Sequence, residues 1–597
     1  MGDGLLLEFQ NALDAVECGV ELQRVIHVRN ARKEVLPLRI RIGIHLGDVQ
    51  HEGTDILGDA VNVASRLEPI AEPEGLCVSF PVYDQVRNKL PYTFENLGPK
   101  RLKGVQEPVG IYRVVFPWTG AAFTSRESVL PRLAVLPLTN ISPDPKDEYF
   151  AEGLTEELIT VLSQVKGLRV ISRTSVSGYK GTTKPATKIG TELQADSVLI
   201  GSVRKVGNQL RIAVQLIDTR SDEQRWSQTY DRKLENIFGI QTEIAERTAA
   251  ALRIELLHSD REAIQSRPTS SLSAYEAYLR GIQAIQRFHL LSSDEVDREV
   301  VQHFEEAIRH DPSFSAAYAR LAIHLIEAIG ETRPAAEVAL RAQDLVTKAL
   351  ETNPNSSDGH LARAMLVWQL DLAWDRVEAE LLQAITLNPS SCAARVRYGA
   401  LLQVLQRWDE AQVQLRAARE QDPLGLEPRG LLAQVYVARG DLPTAISVVE
   451  VLLQDFPNMA GIRAWLAALY AWAGRREDAA RMIEPFAGAP DLGSRIYRAT
   501  VQLRLGREED ARALLADWEA GKISGAHIAR YAAELYAMLG DKTRALALLE
   551  QDERSGERLI WQIYQARGLD SIRDDARFIA LLRAENLPTT VDRPRAS

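Results

Sequence analysis

Apolar positions recur along this chain with three different rhythms, and each rhythm predicts a different architecture. In residues 1–115 strand-like and helix-like patterns take turns. Leu5–Phe9 reads as a strand. Asn11–Arg29 reads as a helix that gathers Ala12, Ala15, Val16, Gly19, Leu22 and Ile26 on one face. Leu38–Val49 alternates, with Ile40, Ile42 and Ile44 on one side, and Asp59–Ile70 reads as a second helix. Gly75–Ser79, Pro81–Lys89 and Tyr92–Val115 follow as strand, helix and a strand pair, which predicts a layered α/β domain.

Pro117–Pro131 is rich in Pro, Gly, Ser and Thr without periodicity and reads as part of a linker, residues 116–131. Residues 132–258 predict a second, smaller α/β unit. Leu133–Leu138 is a short apolar strand, and Asp147–Val165 is a helix with Phe150, Leu154, Leu158, Val161 and Leu162 on one stripe. Leu168–Ser172 is a strand and Ile189–Ala195 a short helix. Ser197–Val206 and Leu210–Ile217 around Gly207-Asn208 predict a hairpin. Gln224–Tyr230 adds a strand, and Leu234–Leu257 reads as a closing helix. Residues 259–272 read as a linker.

From residue 273 to residue 550 the pattern is helical and it repeats. Breaker prolines fall at Pro312, Pro354, Pro389, Pro423, Pro457 and Pro490, with steps of 35, 34, 34 and 33 residues from Pro354 onward. Alanine returns in phase at Ala411, Ala445, Ala479, Ala511 and Ala545, and glycine at Gly440, Gly474, Gly506 and Gly540. A period near 34 with a small residue where two helices cross, a glycine between them and a proline at the exit is the tetratricopeptide signature. Proline at every period excludes a long coiled coil. Tyr275, Tyr318, Tyr398, Tyr436, Tyr470 and Tyr536, spread through the repeats, read as packing residues. Such an array offers a groove for a protein or peptide partner whose identity the residues do not specify. Asp570–Pro588 is amphipathic and reads as a cap, within a C-terminal region spanning 551–597.

Composition narrows the picture only modestly. Hydrophobic residues make up 45% and charged residues 25%, and the net charge is −10, as for an ordinary globular protein. No basic stripe marks a nucleic-acid partner. Cys18, Cys77 and Cys392 form neither a disulfide framework nor a zinc pattern, which favours a reducing, cytoplasmic location. Met1 is followed by Gly-Asp-Gly rather than a secretory signal, and no apolar run reaches membrane-spanning length.

Four pieces of the first 115 residues carry chemistry. They are Gly2-Asp3-Gly4-Leu-Leu-Leu-Glu-Phe, Arg41-Ile-Gly-Ile-His-Leu-Gly-Asp-Val49, Asp55-Ile-Leu-Gly-Asp-Ala-Val-Asn62-Val-Ala-Ser-Arg66, and Leu102-Lys103-Gly104 with Tyr112-Arg113-Val114. In this order and spacing the segment resembles the class III adenylate/guanylate cyclase domain, a ferredoxin-like α/β fold. The resemblance implies ATP as substrate, two divalent ions (Mg²⁺ or Mn²⁺), and a site formed with a partner cyclase domain in a homodimer or heterodimer. It implies Asp3 as a metal ligand, Asn62 on the ribose and Arg66 on the α-phosphate in the transition state. It also implies Asp55 accepting from the adenine amino group, and Lys103 near the terminal phosphates. The family's first strand, its first metal aspartate and its adenine-reading lysine have no counterpart here, so the fold is expected to be incomplete. A start codon further upstream or a shortened gene would each produce this. The expected outcome is a hydrophobic sheet edge and little activity without an intact partner.

Single residues outside that frame read more plainly. His45 and His51 lack ligand spacing and read as core or loop histidines. Lys180-Gly-Thr-Thr-Lys184 lacks the glycine lead of a phosphate loop. Thr155-Glu-Glu-Leu reads as a helix N-terminus. The second unit, through Leu133-Ala-Val-Leu-Pro-Leu138, Phe150-Ala-Glu-Gly-Leu-Thr-Glu-Glu-Leu158 and Ala195-Asp-Ser-Val-Leu-Ile-Gly-Ser202, resembles the amino-terminal domain of TolB-like proteins, which implies an assembly module. The expected whole is multidomain: an incomplete cyclase domain, a small α/β domain and an all-α tetratricopeptide solenoid. A non-catalytic scaffold is the alternative to a cyclase signalling protein.

Overall fold

The computed structural model describes residues 5–30, 38–52, 55–87, 89–90, 92–105, 108–116, 130–254, 256–291, 293–328, 335–488, 492–523, 528–555 and 566–590. The predicted linker at 117–129 lies outside these residues. Two compact units divide the chain. One comprises Met1–Leu366, Ala379–Cys392 and Glu420–Leu424; the other comprises Val367–Glu378, Ala393–Arg419 and Gly425–Ser597.

The first unit begins with helix α1 (Ala12–Asn30), strand β1 (Ile42–Ile44), the two-stranded ribbon β2 (Gln50–Glu52) and β3 (Asp55–Leu57), and helix α2 (Asp59–Leu67). Strand β4 (Leu76–Ser79), helix α3 (Phe80–Val86) and strands β5 (Thr93–Lys100) and β6 (Val109–Val115) complete the segment. The sheet order is β1-β4-β6-β5, with β1 parallel to β4 and the remaining pairs antiparallel. The periodicity placed α1 within a residue at each end and its face correctly, except that Leu22 is exposed rather than buried. Two strand expectations are corrected. Residues 5–9 form no strand, and the predicted strand 38–49 contracts to Ile42–Ile44. The reason is pairing: among the described residues β1 pairs with β4 alone, and no strand there pairs with Leu5–Phe9. Among the described residues β1 is the last strand on its side of the sheet.

The next segment contains β7 (Arg132–Val135), β8 (Thr139–Asn140), α4 (Glu148–Ser163), β9 (Arg169–Val170), α5 (Arg173–Val176) and α6 (Ala186–Leu193). The long meander β10 (Ser197–Val206), β11 (Gln209–Asp218) and β12 (Gln224–Lys233) and helices α7 (Ile237–Ala251) and α8 (His258–Gln265) follow. The strands run β12-β11-β10-β7-β9, with β7 parallel to both neighbours and β8 beside β10. Leu210, Ile212, Val214 and Leu216 alternate inward along β11, as a sheet with one covered face requires. The expected hairpin is exact in kind, turning at Gly207 with φ 55°. Two expectations fail. The closing helix stops at Ala251 rather than reaching Leu257, and the predicted linker 259–272 contains α8. Arg253, at φ 58°, breaks the run. Thr155 is not at a helix N-terminus either. It sits inside α4, where its hydroxyl donates to the Ala151 carbonyl at 2.7 Å and accepts from the Leu138 amide at 3.0 Å.

Helices α9 (Leu272–Leu291) and α10 (Asp294–His310) start the helical array, and Ser315–Glu327 with Ala335–Thr352 make a second pair in the first unit. In the second unit Leu426–Ala438 pairs with Leu442–Asp455, Ala460–Trp472 with Arg476–Ile483, Leu492–Arg504 with Glu509–Glu519, and Ile528–Met538 with Lys542–Ser555. The four in-phase glycines sit between paired helices at φ 80°, 76°, 82° and 84°. Gly440 shows why. Its amide donates to Val437 and the Asp441 amide to Tyr436, a helix-ending motif that needs a left-handed residue. The in-phase alanines are fully buried at the helix crossings. Prolines 312, 354, 389, 423 and 457 each follow a helix end within two residues, while Pro490 lies outside the described residues. The array tyrosines are buried, apart from the partly buried Tyr436. Ala576–Ala584, within the region expected to cap the array, buries Phe578, Leu581 and Leu582.

Candidate functional site

Helix α2 is the structural centre of the first candidate site. Val63 and Leu67 anchor it in a cluster with Ala71, Cys77, Leu102 and Ile111. That leaves Asn62 and Arg66, one helical turn apart, on the opposite face, both exposed. Neither side chain makes a hydrogen bond or ion pair among the described residues, so both are available to a ligand. The helix begins after Gly58, whose φ of 140° is open to glycine alone. Asp55 opens β3 opposite Glu52 in the ribbon that delivers the chain to α2; its side chain lies outside what is described. Lys103 is exposed in the turn after β5, and its neighbour Leu102 belongs to the same cluster that holds α2. Asp3 lies outside the described residues. The sequence therefore brought Asn62, Arg66 and Lys103 to exposed positions fixed by one small core.

The histidines behave as loop and core residues. His45 Nδ1 lies 2.8 Å from Ser79 Oγ, and burial lowers its pKa below the usual imidazole value. His51 lies 3.3 Å from Glu8. Among the described residues no three His, Cys, Asp or Glu side chains converge to hold a metal ion. Asp3, the metal ligand that the family resemblance implies, is not among the residues so compared. Lys180 is engaged by Glu148 and Glu152 at 2.7 and 2.5 Å, so the rejected phosphate-loop segment has its lysine occupied.

One contact escaped the sequence reading because it joins distant segments. Glu17 on α1 accepts from Lys166 at 2.7 Å and from the Tyr92 hydroxyl at 3.1 Å, and all three are at least partly buried. Burial and the Glu17 charge push the Tyr92 phenol well above its ordinary value. Leu257, from the connection after α7, packs into the core formed by α1, β4 and α3.

Comparison with known proteins matches this architecture segment by segment. Residues 6–115 match the model of the family described as the adenylate and guanylate cyclase catalytic domain. Residues 129–247 match the model described as the second domain of HilA/YgeH-like transcriptional regulators. "Putative adenylate cyclase 3" of Rhizobium meliloti is 37% identical over 385 residues, which is 63% of this chain and 64% of that protein. The chain thus spans somewhat less than two thirds of that relative. A cyclase/hydrolase structure from Silicibacter pomeroyi is 39% identical, covering 19% of this chain and 69% of its own, with a TM-score of 0.18. A tetratricopeptide repeat protein from Parabacteroides merdae is 17% identical, covering 42% and 97%, with a TM-score of 0.32. The chain carries an adenylate/guanylate cyclase-type domain together with an array of tetratricopeptide-like helix pairs. No helix among the described residues is long and apolar enough to cross a membrane.

Proposed function

We propose that this chain is a cyclase signalling protein that converts ATP to 3′,5′-cyclic AMP and pyrophosphate in company with a second cyclase domain. The observation that carries the reading is the free, exposed pair Asn62 and Arg66 on one face of α2, within the segment matched to the cyclase catalytic family. In this reading Asn62 holds the ribose while its 3′-oxygen attacks the α-phosphorus, the bond to the β-phosphate oxygen breaks, and the hydroxyl proton leaves to solvent. Arg66 supplies a fixed cation where charge gathers on the α-phosphate. Lys103 faces the departing phosphates, and Asp55 accepts from the adenine amino group, favouring ATP over GTP. Two divalent ions, when bound, would polarise the hydroxyl and neutralise the triphosphate; Asp3 is the ligand assigned to this chain. The 132–258 segment serves as a TolB-like assembly module, and the helical array binds a protein or peptide in a cytoplasmic setting.

A second reading, in which the cyclase-type segment only pairs with another chain and the repeats act as a scaffold, is favoured by the exposed apolar side chains of that segment, Leu5, Leu6, Leu7 and Leu38 among them. Cyclic AMP formation from ATP with Mn²⁺ separates the two. The full chain is assayed alone and mixed with an intact class III cyclase domain whose own counterpart of Arg66 is replaced by alanine. Activity in the mixture that Arg66→Ala removes, by about 100-fold or more, supports catalysis. No product in either assay leaves the scaffold reading. Equal turnover of GTP and ATP overturns the role of Asp55.

A further inference from the structure

Where the mixed-sheet segment meets the first helix pair, a cleft of about 380 Å³ is lined by charged side chains from separate elements, the carboxylates Asp147 and Glu299 among them. Lys146 comes from the short turn Pro145–Asp147, Lys205 from the end of β10, Arg280 and Gln283 from α9, and His303 from α10. The acidic groups nearby are already engaged. Lys205 Nζ donates to Glu276 at 2.6 Å and lies 3.6 Å from Asp147. Glu299 accepts from Arg287 at 2.7 and 2.8 Å. Two cations are left over. Arg280 and Lys146 make no side-chain hydrogen bond or ion pair among the described residues.

Arg280 is nevertheless held in place. Its guanidinium lies over the Tyr149 ring, 4.9 Å from the centroid. That ring is itself fixed, because its hydroxyl donates to Glu276 at 3.1 Å and accepts from Lys205 at 2.9 Å. A planar cation stacked on an aromatic face keeps its N–H edge free and oriented, which is the arrangement used to recognise oxyanions. His303 adds a buried Nδ1 without a hydrogen bond, 3.7 Å from Glu306. The volume falls within the range of small-ligand sites.

We propose that this cleft binds a small metabolite through a phosphate group, with Arg280 and Lys146 as the principal donors and Gln283 beside them. The donors approach from the Pro145–Asp147 turn and from α9, and a tetrahedral phosphate presents acceptor oxygens in several directions where a carboxylate presents two in one plane. An occupant here bridges the mixed-sheet segment and the first helix pair, so binding stiffens their junction.

The test is calorimetric titration of inorganic phosphate into the full chain at low salt, where screening is weak. One saturable site is expected. Arg280→Gln and Lys146→Gln each weaken it about tenfold, the loss of one charge-assisted contact. Lys188→Gln, at an exposed lysine elsewhere, leaves it unchanged. Lys146 is exposed, so its variant folds normally even if Arg280→Gln does not. Arg66→Ala retains the binding, which separates this site from the proposed nucleotide site. Absence of saturable binding, or equal binding by the Arg280 and Lys146 variants, overturns the proposal.

Discussion

The cyclase-type segment and the repeat helices of the second unit hide apolar surface by opposite means. Of the sixteen large apolar side chains left exposed among the described residues, ten lie between Leu5 and Phe80, and Leu5 itself is 81% exposed. The repeat cluster around Ala445, Leu466 and Ala479 instead closes on the neighbouring helix pairs, with all three at 2% exposure or less. A helix satisfies its own backbone, and each pair buries its face on the next. A sheet is complete only when every strand has its neighbours, and among the described residues β1 has β4 alone. The first region therefore borrows stability from what adjoins it, including the Lys166–Glu17 contact and Leu257. The second carries stability within its repeats.

The sharpest way to break that contrast is a pair of truncations. Leu466→Ala removes a buried side chain from the repeat cluster and is expected to cost about 2–5 kcal/mol. Leu6→Ala, at an exposed site, should change stability by less than about 0.5 kcal/mol. Denaturant unfolding followed by tryptophan fluorescence measures both, and equal effects would erase the distinction.

Cys77 tests the sheet directly. It is fully buried on β4, and burial pushes its thiol up to about 11 against the weaker opposing pull of Arg113 and Lys100. The unfolded thiol ionises first, so stability is full below the ordinary thiol range near 8.5 and falls as pH rises toward about 11. Cys77→Ala should flatten that slope in pH-dependent melts. Alkylation should mark exposed Cys18 at once and Cys77 only as the sheet opens.

Gly474→Ala places a side chain at φ 76° and should cost about 1–2 kcal/mol in the second unit. Gly430→Ala, by contrast, lies inside the helix Leu426–Ala438, with nothing within 4 Å of the added carbon. It should raise stability by up to about 1 kcal/mol. Opposite signs in thermal melts would confirm that backbone conformation, not the loss of glycine itself, sets the effect.

These differences follow how much of each region was legible in the residues. The repeats were readable because their constraints are local and recurrent. Gly440 must adopt positive φ, Ala445 must fit a helix crossing, and Pro457 must follow a helix end, all within one period. The candidate site was legible as far as Asn62 and Arg66, since their one-turn spacing on an amphipathic helix determines that they share a face. Leu5–Phe9 was misread because its short apolar run suits a strand, yet strand formation depends on a partner that local pattern does not report. The same limit hid α8 behind an apparent linker, and Thr155 within α4 behind an apparent helix start.

The sequence by itself determined the repeat array, the hairpin of β10 and β11, and the exposed Asn62–Arg66 pair, because each rests on residues within a few turns of one another. Only the tertiary structure decided that Leu257 packs against α1, that Glu17 meets Lys166, and that Arg280 lies over Tyr149 beside Lys146. Those arrangements join residues far apart in the chain, and no local periodicity encodes which distant side chains become neighbours.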